Sequence, residues 1–176
     1  MSRITRDYTP LLQACDAIRA DASRDERMGV FVRTLWDAIG DGSGATCSWV
    51  GFYVGPGGRT PGGDVAGEGE MLLAVREPKP ACSPVALHGA CGRAHLAGET
   101  MVVSDVEKLG EGYVACDPRD RSELVIPCLD EDGASWGVLD LDAFDVGAFT
   151  AHDAEVLQDA LLRAGLSAGV ASMAIV

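Results

Sequence analysis

SELVIPCLDEDGASWGVLDLD (122–142) is the stretch that decides the architecture. Two apolar runs flank Asp132-Gly133, a dipeptide suited to the backbone of a tight hairpin turn, so the runs are expected to pair as antiparallel strands. A strand turns successive side chains to opposite faces, which puts Val138, Asp140 and Asp142 on one face and Leu139 and Leu141 on the other. Two carboxylates on one face are costly unless they are paired, solvated or used on a ligand. A solvated acidic edge and a ligand site both meet that condition. Glu123 opens the first run shortly after Cys116, so acids and a thiol converge on one end of the hairpin.

Upstream, ATCSWVGFYV (45–54) alternates, with Val50, Phe52 and Val54 facing one way and Cys47, Trp49, Gly51 and Tyr53 the other. GPGGRTPGGDVAGEG (55–69) is too rich in Gly and Pro for an element, and it lacks the Lys-Ser/Thr ending of a phosphate loop. MLLAVRE (71–77) reads as a strand, ACGRAHLAGE (90–99) as a short helix and MVVSDV (101–106) as a short strand. Helical spacing runs through Leu11, Leu12, Cys15 and Ile18, and again through Met28, Phe31, Val32, Leu35, Trp36 and Ile39. TAHD (150–153) is a capping-box sequence that starts a last helix through Val156, Leu157, Ala160 and Leu161. Hairpin-joined strands with helices at the ends predict an α+β fold on an antiparallel sheet. Without a repeat or linker, the chain is expected to be a single domain over 1–176. It divides into a helical segment at about 9–40, a core at about 45–150 and a C-terminal helix at about 151–170.

Among its 176 residues are 14 basic and 27 acidic side chains, a net charge of −13. Such a chain repels phosphate backbones and anionic lipid, which argues against nucleic-acid and membrane partners. MSRITRDYTP (1–10) has no apolar signal core, and the tail AGLSAGVASMAIV (164–176) is too short to span a bilayer. A cytoplasmic location is therefore expected, where six cysteines are thiols rather than permanent staples.

Cys15 and Cys128 sit at apolar-periodic positions and read as core. Cys47 shares a face with Trp49 and is best read as a small buried thiol. Cys82, Cys91 and Cys116 lie in non-periodic segments (KPACSP, HGACGRA and YVACDP). Their spacing matches no zinc motif, so no metal site is expected. They could be unrelated structural cysteines, or a nucleophile with resolving partners. The three histidines, His88, His95 and His152, are scattered and suit surface or packing roles.

SWVGFY (48–53), ACSPVALHGACGRA (81–94), SDV (104–106), YVACDPRDRSELVIP (113–127) and WGVLDLDAF (136–144) together resemble the free methionine-(R)-sulfoxide reductases, which are single GAF domains. The resemblance implies an antiparallel sheet of about six strands flanked by helices. It also implies a homodimer, action on the free amino acid, no bound cofactor and thioredoxin as external reductant. Cys116 corresponds to the nucleophile, with Cys91 and Cys82 resolving; Cys91 as nucleophile is the alternative within the family. The implied substrate pocket is Trp49, Tyr53, Glu123, Asp140 and Asp142. The chain departs from the family pattern in its long Gly-rich loop, in a shorter Cys82–Cys91 segment and in the lack of an aromatic before Cys82.

The chemistry suits these residue types. A thiolate attacks the sulfoxide sulfur, the oxygen leaves that sulfur protonated and ends on the cysteine as a sulfenic acid, and a second thiol closes a disulfide on it with loss of water. Carboxylates can hold the α-ammonium that only the free amino acid carries, and crowded acids can keep a proton to give. The same acids oppose thiolate formation at Cys116, which leaves Arg119, Arg121 or the substrate ammonium to favour it. Two rivals share the fold: a noncatalytic GAF small-ligand sensor, and a redox sensor whose thiols pair without turnover. A bilin-attachment module is disfavoured because no Cys-His pair occurs.

Overall fold

The computed structural model describes residues 5–110, 113 and 115–176. Met1–Ile4, at the start of the N-terminal stretch, and Val114, inside the YVACD motif, lie outside the described residues.

Period-2 alternation builds a sheet from β1 (Trp49–Val54), β2 (Glu70–Glu77), β3 (Val85–Ala86), β4 (Glu99–Val103), β5 (Ser122–Leu129), β6 (Ser135–Ala143) and β7 (Ser172–Ile175). Their spatial order is β3-β2-β1-β6-β5-β4-β7. β5 and β6 form the expected hairpin, with Gly133 at φ +82° in the connection. The turn is looser than a two-residue loop. The Asp130 N–H donates to Ala134 O, and a bulge at Cys128/Leu129 absorbs the extra length.

One face of the sheet is apolar throughout: Val50, Phe52, Leu124, Ile126, Leu139 and Leu141 are all buried in it. It packs on α1 (Thr9–Asp16), α2 (Arg24–Ile39) and α4 (Ala151–Arg163), whose buried stripes include Leu11, Phe31, Leu35 and Leu157. Capping boxes at Ser23 and Thr150 open α2 and α4. The other face carries a smaller cluster under α3 (Ala90–Ala97), and this is the face of Trp49, Tyr53 and the acids.

Three expectations need correction. The sheet has seven strands rather than about six, and it is mixed, because β7 runs parallel to β4. The last helix stops at Arg163 instead of near residue 170. Gly165, at φ +64°, lets the chain reverse there, and the Leu166 and Ser167 N–H groups close back on Leu161 O. The small-residue tail then returns as a strand. Cys47 does not share the Trp49 face: it precedes β1 and is fully buried in the opposite core. Cys15 and Cys128 are buried in that core as well. Among the described residues no helix is long and apolar enough to cross a membrane.

Candidate active site

Register brings the acids together. Asp142 on β6 lies opposite Glu123 on β5 and Trp49 on β1, while Asp140 lies opposite Val125 and Gly51. Trp49, Glu123, Asp140 and Asp142 therefore share one face at one end of the central strands. Gly51 leaves space for the indole, since a Cβ there would sit 2.3 Å from Trp49 Cη2. Tyr53 follows on the same face, its ring centroid 6.0 Å from that of Trp49.

Both aromatic side chains hold the loop that carries Cys82. Trp49 Nε1 donates to Lys79 O, and the Tyr53 hydroxyl donates to Cys82 O, each at 2.9 Å. Above the sheet, α3 delivers Cys91 from its first turn. Gly92 permits the close approach, because a Cβ there would meet Leu87 Cα at 2.2 Å. The Cys91 thiol donates to Asp140 Oδ2 at 3.2 Å. Cys91 Sγ and one oxygen each from Glu123 and Asp140 lie within 4.8 Å of one another. Glu123 Oε2 and Asp140 Oδ1 are buried with no hydrogen-bond partner.

Three crowded carboxyls cannot all ionise cheaply out of water. Burial, and then the neighbouring Asp140 charge, drives Glu123 well above the carboxylate range; the Tyr113 hydroxyl offsets part of that rise. Asp142 is driven up by burial, Asp140 and Glu123. Asp140 is pushed up to about 7, chiefly by burial. Cys91 is likewise a neutral thiol, through burial first and Asp140 second.

Cys116 differs from Cys91 in being exposed, and its side chain lies within hydrogen-bonding reach of Cys82. Partial desolvation raises its thiol and the Cys82 side chain adds to the rise, but the Cys82 backbone N–H favours the thiolate. Neither local arginine is free to do so. Arg119 is paired with Asp117 at 2.7 Å and lies over the Phe144 ring, while Arg121 reaches Asp105 and Glu107. A clamp holds the two cysteine loops together. Lys79 Nζ meets Asp117 at 2.5 Å, the Asp117 N–H donates to Asp120 Oδ2, and the Ser48 hydroxyl donates to Asp120 Oδ1.

Two small cavities adjoin here, with Cys116 and Asp142 in the walls of both. One is lined by Tyr53, Cys91, Tyr113, Glu123 and Asp140, the other by Trp49, Lys79 and Asp120. All eight residues singled out from the sequence thus meet in one region, Cys82 through its contacts with Cys116 and Tyr53. Tyr113, Lys79, Asp117 and Asp120 were missed as members of it. Tyr113 and Asp117 sit inside the quoted YVACDP motif, but nothing local shows what Lys79 will pair with. Of the histidines, His95 packs against Ser135 Oγ at 2.8 Å, and His88 and His152 are exposed.

A family model described as GAF domain matches residues 14–167. Free methionine-R-sulfoxide reductase of Saccharomyces cerevisiae is 35% identical over 112 residues, covering 63% of this chain and 57% of that protein. The Escherichia coli protein of the same name is 29% identical over 112 residues, 63% of this chain and 60% of its own length. The chain thus matches less than two thirds of the length of these curated relatives. Among solved structures, the reduced form of fRMsr of Staphylococcus aureus superposes with a TM-score of 0.75 at 28% identity, covering 93% of this chain and 97% of that one. Free methionine-R-sulfoxide reductase from Neisseria meningitidis, in complex with its substrate, gives 0.71 at 28% identity over 91% and 89%. The chain belongs to the GAF domain family, and within it the likeness is to the free methionine-R-sulfoxide reductases.

Proposed function

We propose that this chain reduces free methionine-(R)-sulfoxide to methionine. The observation that carries the reading is Cys116 in the wall of a pocket lined with buried carboxyls, two of whose oxygens have no partner, with Cys82 beside it as a second thiol. Among the described residues no cationic side chain lines that pocket, and the α-ammonium of a free amino acid supplies a positive charge. A methionine sulfoxide inside a polypeptide has no such group, so selectivity for the free amino acid follows from the same acids. The likeness to proteins named for this activity supports the reading.

In the proposed reaction Cys116 is the nucleophile. Its thiolate sulfur attacks the sulfoxide sulfur, the oxygen takes up a proton from the carboxyl cluster, and the substrate S–O bond breaks as that hydroxyl passes to Cys116, releasing methionine and leaving Cys116 as a sulfenic acid. The Cys82 thiol then attacks the Cys116 sulfur, releasing water and forming the Cys82–Cys116 disulfide. An external dithiol, for which thioredoxin is the proposed agent, returns both thiols and is itself oxidised. No bound cofactor enters these steps. With both arginines paired to carboxylates, Cys116 is activated by the arriving ammonium, which neutralises the acids behind it. Cys91, a neutral thiol bonded to Asp140, acts in positioning that carboxyl and as a reserve resolving group. The homodimer implied by the resemblance belongs to the same proposal.

Steady-state consumption of separated sulfoxide diastereomers, coupled to thioredoxin oxidation, tests the reading. Turnover of the R form of the free amino acid, with no turnover of the S form, is expected. Failure to consume either diastereomer would leave the sensor reading in its place.

A further inference from the structure

Cys91, Glu123 and Asp140 come from three separate elements, α3, β5 and β6, yet present one sulfur and two oxygens within 4.8 Å of one another. Glu123 and Asp140 are only 4% and 5% exposed, and each carries one buried oxygen without a hydrogen-bond partner. A thiol hydrogen-bonded to one oxygen of Asp140, with a further unpartnered oxygen on each of Asp140 and Glu123, is more than an acidic patch: it is a mixed S/O donor set. We propose that these three side chains form a binding site for a thiophilic divalent cation, Zn²⁺ being the representative case, and that the bound cation inhibits by occupying the ammonium position.

Zinc takes sulfur at about 2.3 Å and carboxylate oxygen at about 2.0–2.2 Å, so ligand atoms around a tetrahedral ion sit roughly 3.3–3.6 Å apart. Cys91 Sγ and Asp140 Oδ2 are already 3.2 Å apart. Small side-chain adjustments complete the set, with the proton on Cys91 released to solvent as its sulfur bonds the metal. The fourth position opens on the cavity shared with Cys116 and Asp142. Mg²⁺ and Ca²⁺ fit poorly, because both want six or more oxygen ligands and neither favours sulfur. The net charge of −13 concentrates cations around the molecule. The inhibitory half of the proposal rests on the function proposed above, whereas the binding half does not.

Anaerobic titration of the reduced chain with Co²⁺, as a coloured stand-in for Zn²⁺, tests the binding half. The wild type should show a thiolate-to-cobalt charge-transfer band and the visible bands of a tetrahedral site, both displaced by Zn²⁺ and unaffected by excess Mg²⁺. Cys82→Ser/Cys116→Ser should keep them. Cys91→Ser should lose the charge-transfer band, and Glu123→Gln or Asp140→Asn, checked for folding by circular dichroism, should weaken binding at least tenfold. No band, or a band that survives Cys91→Ser and vanishes in Cys82→Ser/Cys116→Ser, overturns the site. For the inhibitory half, Zn²⁺ should act competitively against the free sulfoxide, and noncompetitive behaviour overturns shared occupancy. If cobalt binds as described but no sulfoxide is turned over, the proposed function fails while the metal site stands.

Discussion

Replacing Asp142 with asparagine should move stability and ligand affinity in opposite directions. Asp142 is 9% exposed, lies directly opposite Glu123 in the β5–β6 register and sits two residues from Asp140 on the same face. Like charges directly opposite one another on a sheet repel. Two unit charges about 5 Å apart in a medium of effective dielectric about 20 repel by ~3 kcal/mol, an upper bound here because raised pKa values let the acids stay partly protonated. Asp142→Asn keeps the shape and removes the charge, so the free protein should gain about 1–2 kcal/mol. Burial raises the folded-state pKa of Asp142, so its destabilising effect grows as pH rises. The gain should therefore be largest above neutrality, be small near pH 4 and vanish below about pH 3, where the carboxyl is protonated both folded and unfolded. Binding responds the other way. Removing one partner of a buried ion pair costs about 2–3 kcal/mol, or ~30- to 150-fold in affinity for the free sulfoxide. Urea unfolding at pH 4 and pH 8 and calorimetric titration, both in a Cys116→Ser background that prevents turnover, read the two effects. A loss of stability with unchanged affinity would instead make Asp142 a structural acid with no part in binding the ammonium.

Three other substitutions probe separate parts of the molecule. Lys79→Met removes the ion pair to Asp117 that fastens the Cys82 loop to the Cys116 loop; disulfide closure in a single-turnover experiment should slow by about tenfold, with Lys79→Arg restoring most of it. Asp120→Asn should stabilise the fold by ~1 kcal/mol at pH 7, a value discounted for solvent reaching the loop. Burial pushes the Asp120 carboxyl up to about 6, so the wild type loses stability as pH rises from about 4 to 6, and the asparagine variant should lack that decline in urea melts. Asp153→Ala should cost about 3–5 kcal/mol, seen as a large drop in thermal midpoint, because it strands the Arg6 guanidinium, whose side chain is 4% exposed, and removes the Thr150 capping box.

The hairpin, the face of each carboxylate and the start of α4 could all be read from the chain, because each follows from a local rule: period-2 alternation or the capping geometry of TAHD. The site was half readable for the same reason. Asp140 and Asp142 declare a shared face by spacing alone, and Glu123 joins them once the strands pair. What could not be read depends on loops meeting across the fold. Arg119 and Arg121 looked available to Cys116 in sequence, but Asp117, Asp105 and Glu107 take them. Lys79 is far from Asp117 along the chain, and only the docking of its loop under Trp49 and Tyr53 brings the pair together. β7 escaped notice because its small-residue sequence has no strong alternation, and its partner edge on β4 exists only after Gly165 has turned the chain.

In the proposed reaction Cys116 and Cys82 form a redox pair driven by the free sulfoxide. Its most direct test is a single-turnover reaction without external reductant, read by methionine release and by peptide mapping of the disulfide. One methionine per chain from the R diastereomer, a mass loss of two hydrogens and a Cys82–Cys116 linkage are expected. A Cys91 disulfide formed first, or thiols left reduced after excess R sulfoxide, would contradict that pairing.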